Sequence, residues 1–168
     1  MRLLLPFLVG LLLLACAVPA LAKPGASPPH PVSFPNVLGT TLRLTQLLAD
    51  KDIPAEWKGP ELALVERDLD QPDMALLIAL NEVQGDKEMK PAERKAWIES
   101  NFCPKFDPKG TLEALNTLAA DWNAFVKARI PKGEGAFPAL RQEALEINRQ
   151  LQNFVDGDRV SDPPCRIR

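Results

Sequence analysis

The chain has 168 residues with 22 acidic and 20 basic side chains, a formal net charge of −2. The two signs are interspersed, and no run of lysine or arginine could neutralise a row of phosphates, which argues against a nucleic-acid partner. One histidine and three cysteines, with no C-x-x-C or C-x-x-C-H pair, exclude histidine-based zinc or haem sites and covalent haem attachment, so no cofactor is expected.

Residues 1–22 read as a signal peptide. Arg2 gives a positive start, and residues 3–14 form an apolar run too short to cross a hydrocarbon core of ~30 Å. Ala20 and Ala22 supply the small residues that signal peptidase admits, with Pro19 just upstream, so cleavage is expected after Ala22. A competing reading starts from Leu13-Leu14-Ala15-Cys16, which resembles the bacterial lipobox. That resemblance implies lipidation at Cys16 and a lipid-anchored envelope protein, although the residues after Cys16 stay apolar. Otherwise the mature protein is periplasmic or secreted, and no second apolar run provides a transmembrane span.

Residues 23–37 are proline-rich and read as an extended, solvated tether. From residue 38 to 157 apolar side chains recur at three and four positions, which predicts an all-α fold. It should be a small helical bundle of about four core helices plus one or two short ones, in a single domain. The first helix is expected to be capped by Thr40 or Thr41, to carry Leu44, Leu47 and Leu48 inward, and to have ended by Pro54. A short helix from Pro60 should bury Leu62, Val65 and Leu69. Pro72 opens an apolar helix expected at the centre, terminated at Gly85. Pro91 opens another that runs through Trp97 and Cys103 until Pro104 stops it. Thr111 should cap a long helix with the stripe Leu115, Leu118, Trp122 and Phe125, ended before Pro131. The last helix opens near Pro138, carries Leu140, Ala144, Ile147, Leu151 and Phe154, and should lie antiparallel to its predecessor. Residues 158–168 are polar and would wander unless tied.

Cys103 and Cys165 survive either processing route, and thiols pair in the oxidising compartment that an exported chain enters. The expected disulfide closes a loop of about 62 residues, for which the chain-entropy model gives roughly 4 kcal/mol.

Little in the sequence points to catalysis. His30 lies between prolines in the tether, away from any wall that would tune it, so a Ser-His or Cys-His pair is not expected. Phosphate-cradling glycine motifs and calcium loops are missing. Carboxylates remain, and Glu82, beside Asn81 in the most apolar helix, would make a general acid if buried there; an exposed last turn is the plainer reading. Among aromatic residues, Trp57 lies in a charged loop and Phe106 and Phe137 lie in connections, so these three are the candidate binding residues; each could instead fold down onto the core. The function expected is therefore that of a monomeric, non-catalytic envelope protein that binds another envelope protein, of an assembly or pilot type or an inhibitor or immunity type. The alternatives are a carboxylate-dependent envelope hydrolase centred on Glu82, or a helical carrier of a lipid or other apolar ligand.

Overall fold

The computed structural model of the chain describes residues 28–130 and 137–165. The expected signal peptide, Cys16 and much of the expected tether lie outside the described residues, as does the connection 131–136.

Proline sets the starting point of every described α-helix. Each of α1 (Phe34–Ala49), α2 (Pro60–Leu69), α3 (Pro72–Gly85), α4 (Pro91–Trp97), α5 (Pro108–Arg129) and α6 (Pro138–Gln152) has proline in its first two positions. There the missing N–H is not needed and the fixed φ already suits the helix. This rule corrects two expected boundaries. The first helix starts at Phe34 with Pro35, and Thr40 and Thr41 are buried within it rather than capping it. Thr41 Oγ1 donates to Val37 O at 2.9 Å, and Thr40 Oγ1 donates to Gln150 Oε1 of α6 at 3.0 Å. The long helix starts at Pro108, where the side chain of Asp107 accepts from Lys109 N at 3.0 Å, while Thr111 is buried inside.

The apolar stripes converge on one core. Leu44, Leu77, Leu80, Leu115, Leu118, Trp122 and Ile147 are fully buried at its centre, and Leu62, Val65 and Leu69 of α2 also face inward. α5 packs against α2, α3 and α6, and α1 packs against α3 and α6. Two bonds fix α5 and α6 antiparallel, since Gln152 Nε2 donates to Ala119 O at 2.9 Å and Trp122 Nε1 donates to Ala144 O at 3.2 Å. α4 continues into a π-helical turn, Ile98–Phe102, closed by Cys103 N donating to Ile98 O at 2.9 Å. The wider turn swings Phe102 fully into the core, where its ring stacks on Phe106 at 5.1 Å and meets Phe34 edge-on at 5.8 Å.

The fold is mostly helical but not all-α. β1 (His30–Ser33) and β2 (Gly157–Ser161) pair as a two-stranded parallel sheet with Val32 opposite Val160. Both valines are buried, so residues expected in a solvated tether and a loose tail close one end of the core. Gly157 permits this approach, because a Cβ there would collide with Val32 Cγ2 and lie 3.1 Å from Phe154 O. Beyond the sheet, Cys165 bonds to Cys103 with Cα atoms 5.4 Å apart, the expected disulfide. It fixes the C-terminal segment to the end of the π-helical turn. Among the described residues no helix is long and apolar enough to cross a membrane.

Candidate functional site

The three aromatic candidates have different fates. Trp57, in a 3-10 turn at Ala55–Trp57, is buried with its ring edge-on to Phe125 at 6.1 Å, so it is a lid on the core and not a surface anchor. Phe106 is half-buried, held between Phe34 and Phe102 beside the disulfide. Phe137 is exposed and left-handed (φ 57°) at the N-terminus of α6, the one of the three that faces solvent. No two of them form a common patch with a defined chemistry.

Glu82 is exposed on α3, so the apolar surroundings that a general acid needs are missing. Its neighbour Asn81 is buried instead, and its Nδ2 donates to Leu38 O at 3.1 Å, tying α3 to α1. His30 is not free in a tether either. Nε2 lies 2.8 Å from Asn153 O and Nδ1 lies 3.3 Å from Pro28 O, so the ring clasps β1 to the end of α6. Both nitrogens can donate at once only in the imidazolium, and these two carbonyls, Asn153 O first, raise the His30 pKa above its ordinary value.

Two surface features that sequence reasoning missed carry more chemistry. The first is the outer face of α1. Two open grooves of about 450 and 440 Å³ flank this helix and meet at Pro35 and Gly39. On one side Thr40 and Arg43 of α1 face Arg149 and Gln150 of α6; on the other Leu42 of α1 lies with Gln84 of α3 and Pro164. Leu42, in the second groove, is exposed. The α6 side is polar but self-satisfied. Arg43 donates twice to Glu143, at 2.7 Å each, and Arg149 donates twice to Glu146, at 2.8 and 2.6 Å. The Arg149 guanidinium, helped by Gln150 and Arg43, draws the Glu146 carboxyl down to about 2. Gly39 on the ridge is unexplained by packing, because a Cβ there would meet nothing within 4 Å. Glycine inside a helix costs roughly 0.5–1 kcal/mol relative to alanine, a cost the fold itself does not require here.

The second feature is an acidic groove of about 370 Å³ where the α2–α3 corner meets the start of α5. Asp68, Asp73 and Glu113 line it, around Gly110. A Cβ on Gly110 would lie 2.9 Å from Asp107 Oδ2 and 3.1 and 3.2 Å from the two Asp73 oxygens, so two carboxylates from different elements occupy the space over one backbone position. Asp68 is buried; its Oδ1 accepts from Arg67 at 3.0 Å, and its Oδ2, shut off from solvent, has no donor while both it and Asp121 are ionised. Burial raises its pKa, the Arg67 bond opposes that, and a proton shared with Asp121 and the charge of Asp121 raise it further. Asp73 is likewise pushed up, by burial and then by Asp107 and Glu113. The signal available in the sequence was the nearness of Asp68 and Asp73 and the Asp107-to-Gly110 turn, but only the tertiary fold brings these two segments together. Among the described residues no group of three His, Cys, Asp or Glu side chains is placed to hold a metal ion.

No family model matches the chain, and neither a curated protein nor a solved structure does so.

Proposed function

We propose that this chain is an exported, non-catalytic envelope protein, built as a helical bundle, that binds another envelope protein through the outer face of α1. The observation that carries this reading is the ridge of Pro35 and Gly39 between two open grooves, with the exposed Leu42 in the second of them and a glycine in mid-helix where alanine would fit. A bare backbone at that point lets a partner approach α1 closely, which a side chain would prevent. The disulfide supports export, since such a bond persists in an oxidising compartment and closes a 62-residue loop on a chain of modest size. A role as an assembly or pilot protein, or as an inhibitor or immunity protein, fits a rigid body that acts by contact. Attachment through a lipid at Cys16 is compatible with it.

Photocrosslinking tests the reading. With a benzophenone side chain in place of Leu42, ultraviolet irradiation of native envelopes should give one discrete adduct, absent when the probe replaces Lys127 on α5. Gly39→Arg should abolish the adduct while leaving the melting temperature within a few degrees. No adduct at Leu42, or the same adducts from Lys127, would refute binding through α1.

A further inference from the structure

We propose that the Cys103–Cys165 bond gates the groove that holds Leu42, so that a partner protein binds there only while the bond is oxidised. This rests on the reading of α1 as a binding face and adds its regulation. Its basis is the way the C-terminal segment reaches that groove.

Most of the groove, of about 440 Å³, is built by α1 and α3, through Phe34, Leu38 and Leu42 on one helix and Asn81 and Gln84 on the other. These helices are held without help from the disulfide. Phe34 and Leu38 are buried in the core, and Asn81 Nδ2 donates to Leu38 O at 3.1 Å. The remaining wall comes from Asp162 and Pro164, which lie between β2 and Cys165. Asp162 is left-handed at φ 57° and takes the chain off the sheet. Beyond it, residues 163–165 make no hydrogen bond or ion pair among the described residues, and two of the three are prolines with no N–H to donate. Apart from the partial packing of Cys165 against the core, what fastens this wall is its covalent bond to Cys103.

The two ends of that bond differ. Cys103 closes the π-helical turn through its N–H to Ile98 O at 2.9 Å and follows the fully buried Phe102, so it stays in place when the bond is cut. Cys165 is then free to leave with its wall. Both cysteines are partly exposed, and a dithiol supplies the chemistry. Its thiolate attacks one sulfur, the S–S bond breaks, and the other cysteine departs as a thiolate. The second thiol of the reductant then displaces the first. Two electrons and two protons pass to the cysteines, and the reductant becomes a cyclic disulfide. The direction of the gate follows from the groove being open with the segment in place, which makes the segment a wall and not a plug. A segment tied at both ends is ordered before a partner arrives, whereas a free one must be ordered at binding, at a cost in affinity. In a reducing compartment the site is thus incomplete, and oxidation after export completes it.

The test compares the oxidised chain with the chain reduced by dithiothreitol, alkylated and freed of reagent, each well below its melting temperature. In ¹⁵N NMR spectra the alkylated form should move the Cys165 amide towards its random-coil position and shift Leu42 and Gln84, while the amides of α5 and α6 keep theirs. With the benzophenone probe at Leu42, its adduct in native envelopes should fall about tenfold on reduction and alkylation. Pro164→Asp, at an exposed position with the bond intact, should lower the adduct about fivefold at an unchanged melting temperature, and it reads the wall without relying on a reduced fold. The gate is overturned by a Cys165 amide that does not move, by loss of the helical circular dichroism signal on reduction, or by an unchanged adduct in Pro164→Asp. Equal adducts from the oxidised and alkylated chains overturn the gate and leave the α1 reading standing; no adduct from either form removes that reading and the gate with it.

Discussion

Gly39→Ala should stabilise the protein. The substitution puts a methyl group into open space, with no atom within 4 Å of the new Cβ, so it neither clashes nor gains a contact. What changes is the backbone entropy that glycine loses when α1 forms, worth roughly 0.5–1 kcal/mol. For a domain of this size that corresponds to a rise in Tm of roughly 1–4 °C. Urea unfolding of the oxidised protein, followed by far-ultraviolet circular dichroism, should show a higher midpoint with an unchanged m value. Gly157→Ala provides the opposite sign in the same assay, because its Cβ would collide with Val32 across the sheet and force β1 and β2 apart. If Gly39→Ala leaves the midpoint unmoved or lowers it, glycine is required by the fold and the case for a partner-facing surface on α1 falls.

Three further outcomes follow from the fold and its charges. Reducing the Cys103–Cys165 bond, or replacing Cys165 by Ser, should cost roughly 4 kcal/mol by the loop-closure model for a separation of 62, read as a sharp fall in Tm; an unchanged melt would contradict it. Asp68→Asn should raise stability at pH 7 by about 0.5–1.5 kcal/mol, since the amide keeps an acceptor for Arg67 and offers Asp121 a donor. Because the folded Asp68 pKa is raised, its acid favours the fold below the unfolded pKa and loses that advantage as pH climbs through the folded value. The gain in the variant should therefore shrink in acid, and a gain independent of pH would refute the assignment. His30 has the same sign. Its raised pKa means that the clasp on Asn153 and Pro28 contributes most below the unfolded value and is lost as pH rises through the folded one; the Tm difference between pH 5.5 and 8 should therefore diminish in His30→Gln.

Helices were legible wherever proline and an apolar stripe agreed. Leu115, Leu118, Trp122 and Phe125 declared α5, and Ala144, Ile147 and Leu151 declared α6, because each stripe is local and repeats with the helical period. The start of α1 was obscured by proline itself: Pro35 reads equally as the end of a tether and as the first turn of a helix. The strands were hidden for a different reason. His30–Ser33 is four residues long with a proline and only one buried valine, and its partner lies at the far end of the chain, where no local pattern announces pairing. The disulfide was accessible because the expected processing leaves two cysteines and one way to join them. The acidic groove and the α1 ridge were not accessible, since both depend on which elements meet. The charges of Asp73 and Asp107 acquire meaning only when Gly110 lets them converge, and Gly39 becomes informative only when its surroundings are seen to be empty.

The central claim, a body clasped by a disulfide that works outside the cytosol, is tested most directly by intact-mass measurement of the protein from its own cells, with free thiols alkylated at the moment of lysis. The expected species has lost its leader, beginning at Lys23 or at an acylated Cys16, and carries no alkyl group on Cys103 or Cys165. A full-length chain with both of these cysteines alkylated would contradict the account.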